Sequence, residues 1–245
     1  MSKKRASAQR PPPSGRPKNH LLAALPAKDF RQLLPYLTTV PIQLKQVLYR
    51  AGQPLRAVYF LNGGAASIVT LLSDGTMVEA ATVGDEGMLG IEAFLGVGAV
   101  ATGHTLMQVV GRDAERLSVE DFRREAVAGS ALHTLIGRYT QVILSQLMQS
   151  TACNARHDVL QRCARWLLMT HDRMHRQDFN LSHEFLAAML GVMRPTVSVA
   201  AATLQQRGLM RYTHGRVTVR NRKGLEAASC ECYSAVRTQF DQLRH

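Results

Sequence analysis

Arg194, Thr196, Ser198 and Val199 fall in one short segment, and their side chains are of the kinds used to read a double helix. A guanidinium bonds bidentately to guanine O6 and N7, and each such pair discriminates by roughly 1–3 kcal/mol. Ser198 can reach a base or a phosphate, Val199 can touch a thymine methyl, and Thr196 can hold a phosphate. Lys/Arg at positions 207, 211, 216, 220, 222 and 223 follow as phosphate-facing charge, with Arg207, Arg211 and Arg216 as candidate contacts.

These side chains need a rigid carrier, and the neighbouring residues supply one. Leu181–Ala200 reads as two short helices about a tight turn. Ser182 suits an N-cap, and Glu184 suits the positive end of a helix dipole. Ala187 is small where two helices approach, Gly191 permits the turn, and Val197 returns an apolar side chain to the shared core. Arg194-Pro195 falls in a first helical turn, where proline's missing N–H costs little. With Val197 inward, Arg194, Pro195, Ser198 and Val199 face outward. Gly208 ends this helix, and Arg211–Val219 reads as two strands about His214-Gly215, a wing.

Charge is distributed to match. Residues 1–20 hold six Lys/Arg and no Asp/Glu, residues 21–153 hold 10 and 11, and residues 154–245 hold 14 and 7. The formal +12 of the 245-residue chain therefore lies in a tail and a C-terminal third. A near-neutral middle between basic ends suggests one part that senses and another that meets a polyanion.

Residues 1–20, rich in Lys/Arg, Ser and Pro, are expected to be a disordered basic tail. Leu21–Leu37 reads as a helical lead-in. The runs Ile42–Tyr49, Ala57–Leu61, Ala66–Leu72 and Met77–Val83 then alternate with Gly or Asp-Gly turns, closed by Thr105–Val110 and Ala114–Ser118. Short strands at this spacing predict a sandwich or barrel of roll type. A helix is predicted to begin within Val119–Arg124. Residues 130–152 contain no proline and carry two apolar stripes. Leu132, Leu135, Tyr139 and Val142 form one; Ile136, Ile143 and Leu147 mark the other. A monomer's surface helix needs a single stripe, so these seven are the expected homodimer interface. A second helix spans about 156–173. The expected class is α+β: a roll domain at 21–129, a dimerisation helix at 130–154 and a winged helix-turn-helix domain at 155–245.

Enzyme chemistry is not expected. The sequence has no Ser-His-Asp arrangement, phosphate loop or paired carboxylates at a glycine-rich turn. His104, His133, His157 and His171 read as surface or capping residues. Cys153, Cys163, Cys230 and Cys232 do not suggest a disulfide framework. Cys230-Glu231-Cys232 alone is too little for a metal site, so no metal or cofactor is expected and the thiols read as structural. No run approaches a membrane span, and no secretory signal is evident, so a cytoplasmic location without membrane partners is expected.

In this order the pieces resemble the catabolite-activator and fumarate-nitrate-regulator (Crp/Fnr) superfamily over about residues 21–225. Gly52, Tyr59-Phe60, Gly63/Gly64, Gly75, Gly84-Asp85, Gly90 and Arg194-Pro195-Thr196-Val197 carry the resemblance. It implies a homodimer on a two-fold symmetric stretch of double-stranded DNA, contacting RNA polymerase. Cyclic-nucleotide-binding members supply a glutamate, an arginine and a serine or threonine after Gly90. Here Ile91 stands at the glutamate position, with Glu92 one residue off, and Ala101-Thr102 at the others. Enclosing a phosphate without a cation is costly, so any small-molecule effector is expected not to be a cyclic nucleotide. Iron-sulfur members carry N-terminal cysteines, and this chain has none before Cys153. The rival reading is a ligand-binding roll whose helix-turn-helix serves protein contacts.

Overall fold

Asp-Gly and Gly-Gly turns, and strands that alternate inward and outward residues, give the first half of the chain its shape. The computed structural model describes residues 17–96, 98–174 and 176–243. Residues 1–16 of the segment expected to be a tail lie outside that description. Its last residues do not behave as a tail. Asn19 is buried, caps α1 (His20–Ala23) through Leu22 N–H, and donates to the carbonyls of Leu61 and Gly87 at 3.0 and 2.9 Å. These bonds to two backbone carbonyls fix the start of the fold.

The lead-in continues as α2 (Ala27–Leu33) and a 3-10 turn. The roll is made of β1 (Thr38–Pro41), β2 (Val47–Tyr49), β3 (Ala57–Leu61), β4 (Gly64–Leu71), β5 (Met77–Val83), β6 (His104–Val110) and β7 (Asp113–Ser118). They form two antiparallel sheets, ordered β1-β7-β3 and β2-β6-β4-β5. The run expected as one strand at Ile42–Tyr49 is broken, because Lys45 takes a positive φ of 62°. β1 lies before it. Phe60, Leu61, Leu89, Met107 and Leu117 are buried in the apolar core. Gly64 must stay bare, since a Cβ would meet Gly111 N and Val109 O at 2.5 Å.

α3 (Glu92–Leu95) and α4 (Val119–Glu125) close the roll, and α5 (Ala131–Arg156) leaves it, started by Ser130. α6 (Val159–Met174) turns back against β4. Polar contacts hold it there: Trp166 Nε1 donates to Glu79 at 3.1 Å, Gln108 donates to Thr170 at 3.1 Å, and Arg173 pairs with Glu86 at 2.7 Å. After the helix-turn-helix and wing come α9 (Arg222–Ala228) and α10 (Cys232–Leu243), which packs on α5.

The stripe expected to dimerise is spent inside the protomer. Leu132, Leu135, Ile136, Tyr139, Val142 and Ile143 are buried and Leu147 is half-buried, under the roll and α10. Tyr139 shows why: its hydroxyl donates to Met88 O at 2.9 Å, with Gly87 packed on its ring. The two stripes reflect two intramolecular contacts. The open face of α5 is a different one, through Thr134, Gly137, Gln141, Leu144, Met148, Thr151 and Ala155, with Leu144 52% and Met148 74% exposed.

Candidate nucleic-acid interface

α7 (His183–Leu190) starts at Ser182, whose hydroxyl accepts from Phe185 N–H at 3.1 Å. It ends at Gly191, in the left-handed region at φ 62°, ψ 41°, where a β-branched residue would be strained. Val192 N–H bonds back to Ala187 O at 3.0 Å, and α8 (Arg194–Gln206) leaves at 107° to α7. That angle lies in the range usual for a helix-turn-helix. Leu186, Ala187, Leu190, Val197, Ala200, Ala201 and Leu204 make the shared core.

The outward face of α8 is open. Arg194, Pro195, Thr196 and Val199 are exposed, Val199 at 68%. Arg194 Nη1 lies 3.0 Å from Glu184 Oε1, both side chains more than 60% exposed. Ser198 departs from the expected arrangement and is half-buried. Its hydroxyl donates to Arg194 O at 3.1 Å and sits 3.0 Å from His183 Nδ1. His183 in turn stacks on Tyr212 at 4.3 Å between ring centroids, so Ser198 ties the recognition helix to the wing. Burial, then the nearby Arg194 cation, hold the His183 pKa below its ordinary value.

The wing consists of β9 (Met210–Thr213) and β10 (Arg216–Val219), with β8 (Asp178–Asn180) pairing on the far side of β10. β8 is too short to show a period of its own in the sequence. It carries Asp178, opposite Thr218 in the register, and the Asp178 carboxylate forms an ion pair with Arg216. Arg207, Arg211, Arg220 and Lys223 are exposed or half-buried at the surface of this unit. Arg222 is not a free phosphate ligand as expected: it is bound to Asp172 at 2.6 Å, Glu226 at 3.0 Å and the Tyr233 hydroxyl. Arg194 and Arg216 thus each carry an acidic neighbour.

The helix-turn-helix rests on the roll. α7 packs on β5, and the Val78 methyls lie 3.4 and 3.5 Å from where a Gly191 Cβ would stand. In the roll, Glu92 is not left to meet a ligand. Its Oε1 accepts from both Thr102 N–H and the Thr102 hydroxyl, at 3.0 and 2.9 Å. The fold also gathers Cys153, His157, Cys230 and Cys232, with one ligand atom each, all within 4.8 Å of one another. Sequence spacing concealed this group, because the Cys153 and Cys230 pair is separated by 77 residues.

Comparison with known proteins agrees with this geometry. Residues 161–228 match the Crp-like helix-turn-helix domain. The transcriptional regulator LdrP of Thermus thermophilus is 27% identical over 191 residues, covering 74% of this chain and 92% of LdrP. A solved CRP-family transcriptional regulator, also from Thermus thermophilus, is 25% identical with a TM-score of 0.62, over 77% of this chain and 95% of that one. FixK2 from Bradyrhizobium japonicum shares the fold, with a TM-score of 0.67 at 20% identity over 79% of this chain and 98% of its own.

Proposed function

We propose that this chain, a transcriptional regulator of the Crp/Fnr family with a helix-turn-helix DNA-binding domain, binds a two-fold symmetric operator as a homodimer. The observation that carries this reading is the open face of α8. Arg194 opens the helix, Val199 follows five residues later, and basic residues come after it: Arg207 at the helix end and Arg211 and Arg216 on the wing. In the major groove such a helix reads base edges with its first turns, while the wing meets phosphates. Arg194 and Val199 are assigned to bases, Thr196 and the wing arginines to phosphates, and Ser198 to positioning.

The exposed stripe of α5 supports dimerisation. Gly137, Gln141, Leu144, Met148, Thr151 and Ala155 recur at alternating spacings of four and three, the repeat of a two-stranded coiled coil. Small residues at 137 and 155 let two helices approach closely. In this arrangement two recognition helices meet successive major grooves on one side of the duplex. Family resemblance supports RNA polymerase as a partner, a cytoplasmic location and action by binding.

The effector, where one acts, is not a cyclic nucleotide. Thr102, positioned to hold a phosphate, is instead occupied by the Glu92 carboxylate, which would repel one. Selection of bound duplexes from random DNA tests the whole reading. Enrichment of a two-fold symmetric site with half-sites about one helical turn apart is the expected result. Absence of any preference at moderate ionic strength, with and without metabolites, would reject it in favour of a protein-contact role for the helix-turn-helix.

A further inference from the structure

We propose that Cys153, His157, Cys230 and Cys232 form a binding site for a thiophilic divalent cation of the zinc class, tying the C-terminal end of α5 to the α9–α10 junction. Cys153 and His157 stand four residues apart and so share one face of the helix end. Cys230 precedes α10 and Cys232 is its first residue. The Cys153 and Cys230 sulfurs lie 3.5 Å apart, and Cys232 Sγ lies 3.5 Å from His157 Nδ1. Tetrahedral zinc, with bonds of about 2.3 Å to sulfur and about 2.0–2.1 Å to nitrogen, sets S···S near roughly 3.8 Å and S···N near roughly 3.5 Å. The observed separations need only small adjustment.

The surroundings are those of a metal site. His157 Nε2 lies 3.2 Å from Glu231 Oε1, which orients the ring and leaves Nδ1 facing the sulfurs. A carboxylate behind a ligating imidazole is the usual supporting partner. Gln149 Nε2 donates to Cys232 Sγ at 3.0 Å, a contact that favours thiolate. Three thiolates around a divalent ion leave one net negative charge. Arg162 and Arg165 of α6 both act electrostatically on Cys153, and each keeps a buried Nε without another hydrogen-bond partner. The three cysteines also form a small buried cluster of their own, apart from the main apolar core. A disulfide between Cys153 and Cys230 would use two of the four donors and leave the Glu231–His157–Cys232 arrangement without purpose.

The test uses the full chain, purified under reducing conditions and loaded with zinc alone. Elemental analysis should find about one zinc per chain in the wild type and in Cys163→Ser, whose thiol is buried elsewhere. Cys153→Ser and Cys232→Ser should lose it. Cobalt(II) replacement should give the intense d–d bands of a tetrahedral thiolate site in the wild type and Cys163→Ser only. Zinc should protect Cys153, Cys230 and Cys232 of the wild type from alkylation, a readout independent of whether the variants fold. Zinc retained equally by all variants, or no protection with a Cys153–Cys230 disulfide found by mass spectrometry, would overturn the site. None of these readouts involves DNA, so failure here leaves the DNA-binding reading standing.

Discussion

Glu184, in the first turn of α7, holds Arg194, the first residue of α8, at 3.0 Å across the mouth of the helix-turn-helix. Both groups are exposed, so the pair itself contributes at most about 1 kcal/mol. Its effect is on where the guanidinium points. Arg194→Ala should cost roughly 5- to 150-fold in affinity for the selected operator and flatten the preference at one base pair of each half-site. Glu184→Gln should strengthen binding to all duplexes modestly. Competition binding reads both, and unchanged discrimination in Arg194→Ala would remove that residue from base reading.

Arg216 should behave differently. Its partner Asp178 sits on β8, in the same sheet as the wing strands. Arg216→Ala should weaken operator and random duplex alike and lower the slope of log affinity against log salt by about one. A loss confined to the operator would mean that the wing reads sequence.

Much of this architecture was legible in the sequence, and the misses share a cause. Asp-Gly and Gly-Gly turns, Ser182, Gly191 and Val197 act locally, so the roll, the long helix and the helix-turn-helix could be read from them. Partner identity is non-local. The two apolar stripes on α5 suggest a homodimer interface, because nothing local announces that α10 lies on that helix. Arg222 looked like a phosphate ligand for the same reason, since its partner Asp172 lies far along the chain and Tyr233 on the next helix. The thiol cluster was hidden by the same separation.

The proposed dimer face makes a sharp contrast. Leu144→Glu with Met148→Glu places charge at two exposed positions of the open α5 stripe. These substitutions should leave thermal stability of the protomer nearly unchanged and give monomers in sedimentation, with operator affinity much reduced. Leu135→Glu, in the buried stripe, should instead destabilise the fold by burying an unpaired charge. A dimer that survives the double substitution would place the interface elsewhere.

The folded state holds the His183 pKa below the ordinary 6.5, chiefly by burial. As pH falls below about 6.5 the unfolded chain therefore takes up protons that the folded chain refuses. The stabilisation is complete above the unfolded pKa and is lost as pH falls through the folded one. His171, also shifted downward by burial and by Arg222, acts with the same sign. Denaturant unfolding should show stability declining below about pH 6.5, and His183→Gln should remove part of that decline. A profile identical to the wild type would mean that His183 titrates freely.

Arg173 and Glu86 join α6 to the roll through a pair in which both side chains are less than 10% exposed. Arg173 also donates to Met169 O at 2.8 Å and Thr82 O at 3.3 Å, and Glu86 accepts from Gly84 N–H at 3.0 Å. Such a pair adds little over an apolar contact, but removing one charge leaves the other buried and uncompensated. Glu86→Gln should therefore cost about 3–5 kcal/mol in chemical denaturation. Glu86→Met with Arg173→Met should recover much of that loss, because the charge is then gone from both sides. The double variant also separates stability from orientation. If it folds well yet binds the operator poorly, the ion pair sets how the DNA-binding unit sits on the roll; if it binds normally, the α7–β5 contact suffices for that purpose.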